Sequence, residues 1–355
     1  MGAAAFQDRL NNLTLEDIVP KVVDTVNRSS LINLWVVSNP KPWNGRQIQQ
    51  PIFTNNSSQG KSFRGADTFD TNVDMNTVNL TWYATGFGQP VVDSLVERGA
   101  NAGSAGVIEI QQASYEYAQN SMSNALGSIY YGTGTGDNFD GLNLIVDDST
   151  STSSYGGLSR ATYGTYINGY VSAASSGVLS LDLMDAADDA STVSGLQSET
   201  SSAVITTKTA WTLYASLLEP TKQAMYQTMG YPTASLTLPG EATRDGAQGH
   251  GGFTGVDYRG KTVFRDDKAP SGTMYFLNPS YMEFRSLSIP TLKTVATANK
   301  VTEGVYDKVK PSAFQFRDYM QPVNQLAEIG IFVVYGNLIH RNPVRNAKIT
   351  GITTV

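Results

Sequence analysis

The sequence predicts an α+β protein of two closely joined domains, from which a long β-hairpin projects. Three observations predict it. The chain has 355 residues, long for one compact core and short for two independent enzymes. Helical and strand-like periodicities occupy separate stretches. Two strand-like pieces, Gln50 to Thr54 and Val78 to Ala84, flank a polar tip, Asn55 to Gly65, too long to be an ordinary turn.

The elements follow in order. Ile18, Val19, Val22, Val23 and Val26 recur at helical spacing, with Pro20 at the helix start. This segment either packs on the core or docks as an arm on a neighbouring subunit. In the second hairpin strand, Val78, Leu80, Trp82 and Ala84 alternate with polar or exposed partners. A hairpin of this length is marginal alone in water and needs another surface to lie on. After Pro90, the positions Val91, Val92, Leu95 and Val96 predict a short amphipathic helical turn. A longer helix is predicted from Val107 to Tyr130, half exposed, with Ile110, Ala113, Tyr117 and Leu126 on its apolar side. A short strand is expected at Leu142 to Val146. Ser180 is placed to cap a helix through Leu183, Met184 and Ala187. Ala203 to Thr206 reads as a strand and Thr209 to Met229 as a helix interrupted near Pro220. Further strands are expected at Ser235 to Leu238, Thr262 to Arg265 and Met274 to Leu277. The C-terminal run adds Ile329 to Val334, Asn337 to Ile339 and Lys348 to Ile352. No tandem repeat of solenoid length occurs.

Composition narrows the function. Charged residues make up 16% of the chain, against about 25% in typical soluble domains. Such a surface suits burial against further copies of the chain. There are no cysteines, which excludes disulfides and thiol chemistry. The formal charge of −6 makes a poor general nucleic-acid binder. Met1 to Gln7 lacks the basic and apolar regions of an export signal, and no apolar run reaches the length of a membrane span, so a soluble, non-exported chain is expected.

The chemical motifs are weak. Gly255 to Thr262 satisfies the phosphate-loop pattern G-x-x-x-x-G-K-[ST]. That loop needs a helix after it, so that backbone N–H groups and the helix N-terminus hold phosphate. Here Thr262 leads into Val263-Phe264-Arg265, a strand, and Tyr258 and Arg259 are bulky, so a hairpin turn is the better reading. Gly132, Gly134 and Gly136 follow a helix and lack dinucleotide spacing. Asp182, Asp185, Asp188 and Asp189 are expected on a solvated helix face. His250 and His340 are the only histidines, with no Gly-x-Ser-x-Gly elbow. No catalytic, cofactor-binding or metal-binding residue is assigned.

Several phrases together resemble the major capsid proteins of tailed bacteriophages, with the Hong Kong 97-type fold. They are Asn124-Ala125-Leu126-Gly127-Ser128-Ile129-Tyr130-Tyr131-Gly132, then Phe139-x-Gly141-Leu142-x-x-Ile145-Val146, then Tyr155-Gly156-Gly157-Leu158-Ser159-Arg160. Ala203 to Thr207 with Trp211 and Tyr214, Phe264 to Asp267 with Pro270, and Met274 to Pro279 continue the pattern. Gln325-Leu326-Ala327, Gly336-Asn337-Leu338 and Asn342-Pro343 complete it. Their order and spacing carry the resemblance.

The resemblance implies an N-terminal arm (1–40), an extended loop (41–87), a peripheral domain with a spine helix (88–131), an axial domain with β-ribbon insertions (132–322) and closing strands (323–355). It implies self-assembly into hexamers and pentamers, an icosahedral shell enclosing double-stranded DNA without sequence-specific binding, and no enzymatic activity, cofactor or membrane. Implied partners are a scaffolding protein, a portal and, in some relatives, a decoration protein. The implied location is the virion capsid, assembled in the host cytoplasm. About forty residues precede the hairpin, which implies separate scaffolding or a processed chain. Some members weld subunits through a lysine on the extended loop. Lys61 occupies such a place, but its polar setting favours non-covalent contact, with Lys61, Phe63 and Arg64 at the loop tip touching a neighbour. The alternatives are an encapsulin-type nanocompartment shell, similar in its subunit, and a β-rich surface or fibre protein.

Overall fold

The computed structural model describes residues 30–72, 74–100, 110–192, 199–218, 257–287, 315–322 and 325–355. The expected Val19–Val26 helix, the Ser235–Leu238 strand, His250 and the stretch after Leu218 lie outside these residues.

In chain order, helix α1 is Leu31–Ser38, β1 is Pro40–Pro42, β2 is Gln47–Phe53 and β3 is Thr77–Tyr83. Then come β4 (Thr85–Ser94), α2 (Leu95–Ala100), α3 (Ile110–Ile129) and α4 (Leu142–Ile145). These are followed by β5 (Ser154–Tyr155), β6 (Leu158–Ser159), α5 (Arg160–Ile167), β7 (Tyr170–Ala173), α6 (Leu181–Ser191), β8 (Ala203–Thr206) and α7 (Lys208–Leu217). The last strands are β9 (Asp257–Tyr258), β10 (Lys261–Arg265), β11 (Met274–Leu277), β12 (Met282–Ser286), β13 (Gln315–Met320), β14 (Ala327–His340) and β15 (Ala347–Thr350).

The chain divides into two compact units. The smaller comprises 89–122 and 316–332 within the described part. Its packing is aromatic: Tyr115 meets Phe316 at 5.2 Å and Phe332 at 4.7 Å between ring centroids. Gly330 is required there, because a Cβ would stand 2.6 Å from the Phe316 ring. The Arg98–Glu328 ion pair, at 2.8 Å, closes its surface.

The larger unit holds the six-stranded sheet β7-β15-β11-β8-β10-β9. Its central strand β8 is buried at all four positions, as an apolar run enclosed on both faces must be. Leu179, Met184, Val204, Tyr214, Phe276 and Ile349 form the core beneath α6 and α7. Ser180 caps α6 by accepting from the Leu183 N–H. A second sheet pairs β1 with β12 in parallel and β12 with β14 antiparallel. Its edge strand β1 is Pro-Lys-Pro, a composition that blunts further strand pairing.

Helix α1 is held from far along the chain. The Asp266 carboxylate accepts from Ser30 Oγ at 2.7 Å, the Leu31 N–H at 2.8 Å and Tyr131 Oη at 2.8 Å. A buried carboxylate thus satisfies the free N–H groups of a helix start 235 residues away in sequence.

Two expectations are corrected. Leu142 to Val146 is not a strand: Leu142 and Ile145, three apart and both fully buried, are the inward face of α4. A run of four apolar-rich residues is too short for periodicity to decide. Val91 and Val92 belong to β4 rather than to a helical turn. Val91 and Asp93 are buried while Val92 is 55% exposed, a period of two. On α3 the buried stripe is Ala118, Met122 and Leu126, and Tyr117 is exposed.

Removing the Asp266 carboxylate strands the Ser30 hydroxyl and the Leu31 N–H at the start of α1 and the Tyr131 hydroxyl beside them. Asp266→Ala is expected to lower unfolding free energy by at least about 3 kcal/mol in urea titration. A loss under about 0.5 kcal/mol would contradict this account.

Candidate functional site

The extended hairpin is the feature without an internal explanation. β2 and β3 pair antiparallel over seven residues, from Gln47 opposite Tyr83 to Phe53 opposite Thr77. Its base is fixed to the body. Leu80 packs on Gly156, where a Cβ would stand 2.7 Å from the leucine Cδ2. The Thr81 N–H donates to the Gly156 carbonyl at 2.8 Å. Trp82 meets Tyr155 edge to face at 6.1 Å. Tyr155 in turn donates its hydroxyl to the His340 carbonyl at 2.9 Å and accepts from the His340 N–H at 3.0 Å. Gly156 and Gly157 both have positive φ, forming the two-residue turn between β5 and β6 that brings Tyr155 to Trp82.

The described residues of the tip, within 54–76, are held by polar contacts of their own and by the Tyr166 hydroxyl of α5, which donates to the Thr54 carbonyl. Asp74 accepts from the Ser58 N–H at 2.9 Å, and the Asn76 N–H donates to Asn55 Oδ1 at 2.8 Å. Lys61 pairs with Asp67 of the same tip at 2.9 Å, with both side chains about two-fifths exposed. Phe63 meets Phe69 at 5.2 Å, yet stays 63% exposed. Arg64 is exposed beside it. Phe53, Phe69 and Met75 are likewise more than half exposed. The structure therefore places Lys61, Phe63 and Arg64 on one exposed tip, where Lys61 and Phe63 both meet the Phe69 ring.

A polar cleft of about 800 Å³ opens at the hairpin base, lined by Gln47, Thr81, Tyr83, Asp140, Thr152 and Asn337 among others. Asn337 bridges it, donating to the Tyr83 carbonyl at 3.1 Å and to Asp140 Oδ2 at 3.1 Å. Burial pushes the Asp140 carboxyl up to about 6, against the opposing hydrogen bond from Asn337.

The remaining motif residues are structural. Lys261, of the phosphate-loop pattern, begins β10, and Arg259-Gly260 is a two-residue turn with both φ positive. Gly255 and Val256 lie outside the described residues. No helix follows to receive a phosphate. Lys261 is buried against the Asp188 carboxylate and donates to Ser201 Oγ at 2.9 Å. Burial lowers its ammonium to about 8, still protonated at neutral pH. The acidic run on α6 is consequently not one solvated face. Asp188 is buried under Lys261, and Asp185 and Asp189 pair with Arg259 at 3.0 and 2.8 Å. His340 is fully buried, and burial lowers its imidazole to about 4. Arg160, 1% exposed, donates to the carbonyls of Leu144, Asp147 and Ile167 and closes the segment after α4. Among the described residues no cluster of His, Cys, Asp or Glu could hold a metal ion, and no helix is long and apolar enough to cross a membrane.

The cluster around Glu283 also escaped sequence reasoning. Glu283 is buried and receives Lys41 at 2.9 Å, Arg285 at 2.9 Å and Arg341 at 2.5 Å. Burial alone would raise its carboxyl, but the three cations hold it below its ordinary value. The alternation Glu283-x-Arg285, with Arg341 two beyond Ile339, was the available signal for a common face.

No family model and no curated sequence relative matches the chain. Solved structures do. The capsid protein of cyanophage A-1(L) superposes with a TM-score of 0.63 at 13% identity, over 97% of this chain and 98% of that one. The chain shares the fold of that capsid protein. The SrpI encapsulin of Synechococcus elongatus PCC 7942 gives 0.56 at 10% identity over 99% and 95%. The capsid of a native GTA particle gives 0.54 at 10% over 95% of each chain. The architecture is thus the α+β Hong Kong 97-type fold.

Two measurements test this electrostatic reading. Asp140 has a native pKa above its unfolded value, so its contribution to stability is present below about 4 and is lost as pH rises through about 6. Asp140→Asn is expected to be more stable than the parent at pH 7.5, by at most about 3 kcal/mol, with the difference vanishing by pH 4. A pH-independent difference would contradict it. Lys261→Ala is expected to leave nucleotide binding at background and to cost about 2–4 kcal/mol by stranding Asp188. The double change Asp188→Asn with Lys261→Met should recover most of that loss in the same titration.

Proposed function

We propose that this chain is the major capsid protein of a tailed bacteriophage, which self-assembles into hexamers and pentamers of an icosahedral shell around double-stranded DNA. The observation that carries this reading is the superposition on a cyanophage capsid protein over nearly the full length of both chains. The hairpin supports it independently. Four large apolar residues of its tip region stand more than half exposed, and a surface of that kind is removed from water by a partner. The low charge content supports burial of a large share of the surface.

On this reading, residues 1–40 form the arm, 41–87 the extended loop, 88–131 and 323–355 the peripheral domain, and 132–322 the axial domain. Lys61, Phe63 and Arg64 contact a neighbouring subunit without covalent linkage, because Lys61 is solvated and already paired with Asp67. A scaffolding protein and portal complete the particle, with a decoration protein as an optional addition. The chain resides in the virion after assembly in the host cytoplasm, and its role is structural rather than catalytic. The likeness to SrpI encapsulin supports a second reading, a nanocompartment shell. The contents of the particle, packaged DNA or a protein cargo, distinguish the two.

Negative-stain microscopy of the expressed chain, alone and with its scaffolding protein, is expected to show capsomers or closed shells. Monomer alone across salt and concentration would overturn the proposal. Phe63→Ser with Phe69→Ser is expected to leave subunit stability within about 0.5 kcal/mol while raising the threshold concentration for assembly at least tenfold. An unchanged threshold would remove the tip from the interface.

A further inference from the structure

The charged face of the second sheet carries more cations than its own fold requires. Side chains alternate across a strand, so Glu283 and Arg285 of β12 lie on one face, while Phe284 is buried on the other. Register places Lys41 opposite Arg285 and Ile339 opposite Glu283, and Arg341 follows two residues after Ile339. Three cations therefore surround one carboxylate, a local surplus of two positive charges on a chain whose formal charge is −6. Core stability does not call for this surplus, since one well-placed guanidinium neutralises a buried carboxylate.

The surplus faces open space. A groove of about 370 Å³ runs between Ile48 to Pro51 of β2 and the Glu283, Arg285 and Arg341 side chains. The cationic side chains are only partly covered, at 52% exposure for Lys41, 31% for Arg285 and 40% for Arg341. Arg341 Nε is a buried donor with no hydrogen-bond partner. The Arg341 side chain is nonetheless 40% exposed, so its outer guanidinium atoms, not the buried Nε, are what an outside group can reach.

We propose that this groove receives a carboxylate from a second copy of the chain, held by Arg341 and Arg285, with the Lys41 ammonium next to it through their shared partner Glu283. Charge complementarity selects this occupant: the shell is built of acidic copies, and a guanidinium pair binds a carboxylate in a planar, directional way. Hairpin strand β2 forms one wall of the groove, so an incoming carboxylate there would also fix the hairpin base. The inference rests on the shell reading.

The test uses assembled particles treated with a water-soluble carbodiimide, which joins a lysine amine to a contacting carboxylate. The expected result is a dimer-mass band whose cross-linked peptides contain Lys41 joined to an Asp or Glu of the second chain. That linkage should be absent in Lys41→Arg particles, which retain the charge but lack a reactive amine. Particles that form normally while Lys41 is joined to no carboxylate of another chain overturn this inference and leave the shell reading standing. Failure to form particles under any condition overturns both.

Discussion

The anchoring of the hairpin base sets the behaviour of the rest. Trp82 against Tyr155, and Tyr155 against the backbone of His340, tie β3 to the end of β14, one of the longest elements of the chain. Beyond that point the hairpin has its own seven-residue ladder, the polar contacts of its tip and one hydrogen bond to the body, from the Tyr166 hydroxyl to the Thr54 carbonyl. Two strands alone are marginal in water. The base is therefore rigid and the tip waits for a surface, a division of labour that suits a subunit which reaches onto its neighbours.

Several charged groups are placed inside. Asp147, Arg160 and Lys348 are buried together, as are Asp188 and Lys261, and Asp266 sits under α1. Each links segments remote in sequence: Asp266 joins α1 to the end of β10, and Lys261 joins β10 to α6. Buried pairs of this kind add little net stability but penalise wrong arrangements heavily, because a misplaced partner leaves an uncompensated charge. Glu283 departs from this pattern, since its three cations outnumber the carboxylate and reach solvent.

The sequence made local structure legible where one signal dominated. β11 has the expected bounds, Ser180 caps its helix, and the hairpin strands lie within a few residues of their expected places. Apolar alternation and side-chain capping act over a few residues, so they can be read along the chain. Leu142 to Ile145 was misread because four residues do not fill a period. The roles of Lys261, Arg160 and Asp266 were not legible, because each is defined by partners from 7 to 236 positions away. The Lys261 motif matched a phosphate loop in letters, yet its Arg259-Gly260 pair with positive φ is a hairpin turn. At the candidate site, the tip position of Lys61, Phe63 and Arg64 was legible. The cationic face around Glu283 was not, since three strands distant in sequence assemble it.

Amide hydrogen exchange on free subunits and on assembled particles tests the central claim most directly. The account predicts that Leu80 to Tyr83, at the anchored base, exchange slowly in both forms. It predicts that residues 54–76 exchange fast in the free subunit and become protected on assembly. Equal exchange of the tip in both forms, or loss of base protection in the free subunit, would contradict it.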